Sequence, residues 1–244
     1  ELSEDIAAVV LVNPTYQGYS ADIESLIKEV HSHSLPVLVD EAHGAYWISQ
    51  IRPDLPRSAI SFGADLVVHS LHKSAPGLVQ SAVLWSQGVR VDPLKIEKSI
   101  DLLQTSSPSS LLLASCESSI KELTESKGLK KLNSVLEEAD FFKEYLISHE
   151  VPVLQNSDPL RIILHTAKLG LSGIEVDKRF IKKRIIGELA EPGTLTFCLG
   201  FSSHRGLEKK FVVIWNDIVK SFGKQKSFLF KRPPFRILSK PYKP

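Results

Sequence analysis

Apolar and polar positions fall into two kinds of block over the first hundred residues. Short apolar runs lie within residues 7–12, 37–40, 65–69 and 80–85. Such runs read as strands buried on both faces rather than as half-exposed strands. Between the first two, Ile23, Leu26, Ile27 and Val30 recur at helical spacing, which predicts a helix over 22–34. Residues 13–18 form a loop, Pro36 launches the second strand, and Gly88 ends the fourth. The stretch 51–59 is proline-interrupted and reads as a loop that can end in a short helix from Pro56, closed by Gly63. Strand–helix–strand alternation with fully apolar strands predicts an α/β architecture: a mostly parallel sheet covered on both faces.

From Pro93 the pattern changes. Residues 93–103 have helical spacing, and Ser106-Ser-Pro-Ser-Ser110 is a break rich in N-cap residues. Two long amphipathic helices are expected over 110–126 and 129–149, the second presenting Leu132, Val135, Leu136, Ala139, Phe142 and Leu146 on one face. A strand over 161–165, a helix over 173–183, strands over 186–190 and 195–201 and a helix over 206–222 make a small α+β unit. The expected organisation is a large-domain part over 1–105, connecting helices over 106–150, a small domain over 151–223, and a basic, proline-rich tail over 224–244.

Composition narrows the classes. The 244 residues are 43% hydrophobic and 24% charged, as in an ordinary globular protein. A net charge of +2 gives no reason to invoke nucleic acid or a membrane surface. Cys116 and Cys198 lie far apart with no CxxC or His-rich neighbourhood, so neither a disulfide framework nor a metal site is expected, and a reducing cytoplasm is the natural setting. No stretch approaches the ~20 apolar residues of a membrane span, and no basic-then-apolar leader is visible. The sequence starts at Glu1, contains no Met and enters a strand almost at once, so it is read as part of a longer chain.

The chemistry gathers where two apolar runs stop. Val37-Leu-Val-Asp-Glu-Ala-His-Gly44 delivers Asp40 and His43, and Val67-Val-His-Ser-Leu-His-Lys-Ser74 delivers Ser70, His72 and Lys73. The carboxyl ends of parallel strands are where α/β sheets open into sites. A carboxylate, a lysine and small donors at one edge suit an aldehyde cofactor bearing a phosphate. Lys73, a few residues beyond a buried strand, is the candidate Schiff-base nucleophile, which a partly desolvated pocket would activate. Asp40 would hold a proton on a pyridine nitrogen, and Ala42 is small enough for a flat ring to lie against it. His43 could bond a ring oxygen or a substrate carboxylate. Ser70 and His72 could reach a phosphate. Asn13 and Thr15 could touch the cofactor, although an ordinary turn accounts for Asn-Pro-Thr as well. The Asp-Glu-Ala-His segment also resembles the Walker B stretch of helicases, but no GxxxxGK[ST] loop accompanies it.

At these residues the chain resembles the ornithine/lysine/arginine decarboxylase family, built on the type I, aspartate-aminotransferase-like pyridoxal-phosphate fold. The matching stretches are Pro14-Thr-Tyr-Gln-Gly18, the segment 37–44, Pro53-Asp-Leu-Pro-Arg-Ser-Ala59, Gly63-Ala-Asp-Leu-Val-Val68, Ser70-Leu-His-Lys-Ser-Ala-Pro-Gly77 and Thr105-Ser-Ser-Pro-Ser109. Gly170-Leu-Ser-Gly173 and Glu188-Leu-Ala190 extend the likeness into the small unit.

The resemblance implies pyridoxal 5'-phosphate as cofactor, bound to Lys73, with Asp40 on the ring nitrogen, Ala42 against the ring, and Ser70 and His72 on the phosphate. It implies a homodimer or higher homo-oligomer with the serines near Ser107 at the subunit interface. It implies decarboxylation of lysine, ornithine or arginine to the amine. The family's stacking aromatic, its upstream phosphate loop and its C-terminal domain have no counterpart in this sequence, and Ser74 replaces the usual threonine. Weak activity of these residues alone is therefore expected, and a catalytically inactive fragment is one alternative. The other is a type I aminotransferase, which needs an arginine clamp; Arg161 and Arg205 lie in the small unit, but neither sits in an aminotransferase-like motif.

Overall fold

The structure, a computed structural model, describes residues 6–222. Val9–Val12 (β1), Val37–Asp40 (β2), Leu66–Ser70 (β3) and Ala82–Ser86 (β4) lie side by side in chain order. The first three are parallel, and β4 returns antiparallel along β3, with Leu66 opposite Ser86 and Ser70 opposite Ala82. The carboxyl ends of β1, β2 and β3 therefore share one edge, and the loops that follow them meet there.

The crossover from β1 to β2 is a helix, Ile23–Ser32 (α1). Its N-cap Asp22 accepts from the Ser25 amide, and Ile23, Ile27 and Val30 bury one stripe. That stripe packs on Val37, Val39 and Val67 together with Ala59 and Ala64. The opposite face of the sheet departs from the expectation of full cover. Val10 and Val12 are each 65% exposed. Pro93–Leu103 (α3) approaches this face, leaving a groove lined by Leu66, Leu84, Ile96 and Ile100. An apolar run records that both faces need cover; it does not record which segment supplies it.

The short helix expected from Pro56 starts later, as a 3-10 turn closed by Gly63. Single 3-10 turns occur at Ala45–Ser49 and Ala59–Phe62. Leu71–Ser74 forms a one-turn helix (α2) directly after β3.

The remainder comprises the two long helices and a second, small sheet with its own helices. Ser110–Thr124 (α4) and Ser126–Ser148 (α5) are separated only by Glu125. An antiparallel sheet is built from Val153–Leu154 (β5), Arg161–Leu164 (β6), Leu189–Ala190 (β7) and Leu195–Cys198 (β8), in the order β5-β6-β8-β7. Gly173–Lys182 (α6) and Leu207–Phe222 (α7) cover it. Phe142, Phe180, Phe197 and Phe211 pack ring on ring at its centre, with Phe180 and Phe211 centroids 4.6 Å apart. Tyr46, Trp47, Leu55 and Leu71 join this same core, so the segments after β2 and β3 are anchored in the small unit as well as in the parallel sheet. The basic tail over 224–244 lies outside the described residues.

Candidate active site

Strand alternation sorts the residues at the sheet edge. Val37, Val39 and Glu41 point to the covered side, and Leu38 and Asp40 to the open one. On β3, Val67 and His69 are inward, so Val68 and Ser70 share the open side with Asp40, whose register partner is Val68. Asp40 Oδ1 accepts from the Ala42 amide at 3.0 Å, turning the chain there. Its second oxygen has no hydrogen bond among the described residues. Ser70 opens α2 but does not use its hydroxyl as a cap, which leaves that group free at the edge.

Lys73 follows on α2 and is exposed, not desolvated as the sequence suggested. The cause is the anchoring of its short helix. Leu71 and Ser74 are buried and fix the inner side of the turn, so Lys73 is left outward. His72 donates Nδ1–H to the Ser81 carbonyl at 2.9 Å. Its Nε2 is then a lone-pair acceptor in the neutral ring, and only the imidazolium could donate to a phosphate.

His43 is half-buried. Its Nδ1 accepts from Arg161 Nη2 at 3.1 Å, and because guanidinium only donates, the ring hydrogen resides on Nε2. Burial, then the charges of Arg161 and Lys73, push the imidazole down to about 4, partly opposed by Asp40 and Glu188. His43 is thus a neutral donor at neutral pH, with Lys73, Asp40, Arg161 and Glu188 all close enough to act on it. The Tyr16 ring meets it edge-on, centroids 4.6 Å apart. Tyr16 in turn donates its hydroxyl to Glu188, which with burial raises the phenol to about 12. Ala42 is buried and offers a small surface beside these groups.

Asn13 and Thr15 act on their own loop. Asn13 Oδ1 accepts from the Ala21 amide at 2.9 Å and from Ser20 Oγ at 3.2 Å, and Thr15 Oγ1 accepts from the Tyr19 amide at 3.1 Å. Of the pair's polar groups, Asn13 Nδ2 is buried without a partner. The small unit clamps this loop: the Ser157 and Asp158 amides both donate to the Gly18 carbonyl at 3.0 Å, and Asn156 Nδ2 donates to the Gln17 carbonyl at 2.7 Å. Gly18 has φ +85°, and a Cβ there would stand 2.7 Å from Asp158 Cβ, so the position requires glycine on two counts.

Two contributors, Ser74 and Glu41, were given no role at the site by the sequence, and Arg161 was named only as an arginine of the small unit. Ser74 Oγ accepts from the Ala45 amide at 2.9 Å and donates to the Ala42 carbonyl at 3.0 Å, fastening the helix of Lys73 to the turn after Asp40. Glu41 is buried between Ser58, the Ala59 amide and His69. Arg161 reaches His43, whereas Arg205 is engaged at the surface with Glu138. The adjacency of Glu41 to Asp40 was a usable signal, since consecutive acids on a strand must face opposite sides.

The donor set fits a phosphorylated pyridine aldehyde: a free carboxylate oxygen on Asp40, an outward amine on Lys73 and an uncommitted hydroxyl on Ser70 stand at one edge.

Residues 2–166 match the sequence profile described as the Orn/Lys/Arg decarboxylase major domain. The chain is 34% identical over 187 residues to an arginine decarboxylase of Bacillus anthracis, covering 72% of this chain and 38% of that protein. It is 30% identical over 220 residues to an uncharacterized protein of Bacillus subtilis (strain 168), covering 87% and 45%. Among solved structures, the constitutive lysine decarboxylase of E. coli superposes with a TM-score of 0.70 at 17% identity, covering 88% of this chain and 37% of that one. The lysine decarboxylase of Francisella novicida gives 0.70 and 17%, covering 87% and 36%. These neighbours bear out the fold expected above, part of a type I large domain with a smaller α+β unit. The chain spans less than half the length of these relatives and structures.

Proposed function

We propose, from the fact that the chain belongs to the Orn/Lys/Arg decarboxylase family, that its sheet edge carries the lysine side of a pyridoxal-phosphate site that decarboxylates a basic amino acid. The observation that supports this most is the convergence of Asp40, Ser70 and Lys73 on the open side of one edge, beside a neutral His43. When bound there, pyridoxal phosphate would supply an electron-withdrawing ring that takes up the electron pair left when the carboxylate departs as carbon dioxide.

The chain's own residues prepare that chemistry. Lys73 presents the amine that holds the cofactor. Asp40, with one oxygen fixed by the Ala42 amide, offers the other to a protonated ring nitrogen and keeps that proton in place. Ser70 orients the phosphate, and His72 adds a donor when protonated. Ala42 bounds the ring, and His43 donates from Nε2 to an oxygen of the ring or substrate. Asn13 and Thr15 serve indirectly, by shaping the loop that carries Tyr16. A homo-oligomer with the Ser107 region at its interface, and a role in the cytoplasm in polyamine metabolism, complete the proposal.

The test is borohydride reduction of the cofactor-loaded chain followed by peptide mapping. The reduced adduct should lie on Lys73 and vanish in Lys73→Ala. Equal trapping in that variant would place the cofactor on another lysine and overturn the site. Carbon dioxide release from lysine, ornithine and arginine, measured on the same preparation, separates a decarboxylase from an aminotransferase.

A further inference from the structure

The strand β7 is only two residues long, with Leu189 opposite Thr196 and Ala190 opposite Leu195. Continuing that register would set Gly187 opposite Cys198, the last residue of β8. The chain does not continue it. The Gly187 amide donates to Asp177 Oδ1 at 3.2 Å, which draws the segment toward α6. Residues 184–186 therefore stand off the end of β8, and a cavity of about 240 Å³ opens there. Its floor is apolar, built from Phe197, Leu199 and Phe211, and Ile186 at its side is 79% exposed. None of the residues assigned to the sheet edge lines it.

Arg184 is the cation that lines this cavity. It has φ +61°, the left-handed conformation that favours glycine just past a helix end. Its amide closes α6 by donating to the Ile181 carbonyl at 2.9 Å. Its guanidinium has no ion pair and no hydrogen bond among the described residues. The negative end of the α6 dipole does not account for it, because Arg179 and Lys182 already occupy the last turn. Non-glycine residues held in left-handed backbone cost stability and gather at ligand clamps. Packed interiors also leave few voids larger than a water molecule. An apolar floor open beneath an unpaired guanidinium has the makings of a binding site.

We propose that this cavity binds a medium-chain carboxylate, with its alkyl chain on Phe197 and Phe211 and its carboxylate on Arg184. The floor selects an alkyl group over a sugar or a peptide backbone, since a polar group buried there would lose its water without gaining a partner. Size sets the length. At about 30 Å³ for each water-sized group, the volume holds roughly eight such groups, which suits an acid of about eight carbons and excludes a two-chain lipid. Charge sets the head group. A guanidinium offers two parallel N–H donors that match a carboxylate, and it repels an amine of equal length. The site stands apart from the proposed function and would remain if the sheet edge carried no cofactor.

The test is calorimetric titration of the full chain with octanoate, compared with octylamine and octan-1-ol, which share its alkyl chain, and with acetate, which lacks it. Octanoate should bind about tenfold or more tightly than each of the three. Its chain protons should show NOEs to the Phe197 and Phe211 rings. Arg184→Gln should bring octanoate down to the affinity of the alcohol and leave alcohol binding unchanged. Arg184→Gly should do the same while the melting temperature holds or rises, because glycine relieves the left-handed backbone. A fall in melting temperature with octanoate binding retained would make the arginine a structural residue and sink the proposal. Equal affinity for octanoate and octylamine overturns it as well, by removing the role of charge. Equal affinity for octanoate and acetate removes the role of the cavity, and NOEs confined to other rings place the ligand elsewhere; either result also overturns it.

Discussion

His69 Nε2 lies 2.6 Å from Glu41 Oε2, with both side chains completely buried beneath the sheet edge. Trp85 Nε1–H donates to His69 Nδ1 at 2.9 Å, which leaves the His69 hydrogen on Nε2, directed at Glu41. Glu41 also accepts from the Ser58 hydroxyl and, at 3.0 Å, from the Ala59 amide. A buried carboxylate with three donors is fully served, and it pins the residue next to Asp40 to both β3 and the turn at 58–59.

Removal of that carboxylate should therefore be severe. Glu41→Ala strands His69, Ser58 and the Ala59 amide, and should cost about 3–5 kcal/mol, the usual range for breaking a buried pair. Urea unfolding followed by Trp fluorescence measures it. A loss below about 1 kcal/mol would show that the network is not a support of the edge.

His43 should add a pH dependence. Its folded pKa of about 4 lies below the ordinary 6.5, so the unfolded chain binds more protons between these values. The stability linked to neutral His43 is complete above pH 6.5 and declines as pH falls toward 4. Unfolding free energies across that window should slope more steeply in the parent than in His43→Gln; parallel profiles would assign the slope to other groups.

Lys143 should act in the alkaline range. Its amine donates to Asn156 Oδ1 at 2.7 Å and to the Asp158 carbonyl at 2.8 Å, the segment that grips the Gly18 loop. Burial lowers its pKa from 10.5 to about 8. The folded protein thus carries the cost of a desolvated ammonium below pH 8, and stability should rise between pH 8 and 10.5 as that cost is relieved. Lys143→Met should flatten this rise, as read by thermal melts at stepped pH.

Gly18→Ala should loosen the clamp between the loop and the small unit. The left-handed φ of +85° and the crowding by Asp158 both oppose a methyl group. A loss of roughly 1–3 kcal/mol is expected from the backbone conformation alone. The His43 resonance should shift as well, because Arg161 leans on the same glycine. An unchanged melting temperature would contradict the packing described here.

Asp40→Ala separates cofactor capture from catalysis. Under the proposed function, borohydride labelling at Lys73 should persist while turnover falls by about 10³, the effect typical of losing a preorganised charged or hydrogen-bonding partner. Retained turnover would remove Asp40 from the chemistry.

Local pattern specified much of this molecule. The strand expected at 37–40 and the helix at 93–103 occur with those limits, as Val37–Asp40 and Pro93–Leu103. Both are set by short-range periodicity and by the polar or proline residues that bound them. The same alternation put Asp40 and Glu41 on opposite faces and brought candidate chemistry to the ends of β2 and β3. Tertiary structure decided the rest. It turned β4 antiparallel, left one sheet face only partly covered by the described residues, and exposed Lys73 by burying Leu71 and Ser74 on either side of it. It also carried Arg161 across 118 residues of chain to His43, fixing the tautomer and lowering the basicity of that ring. The division has a physical origin. Side-chain periodicity records which face of an element is apolar and where the element stops, whereas pairing direction, cover and the partner of each polar atom depend on the path of distant chain.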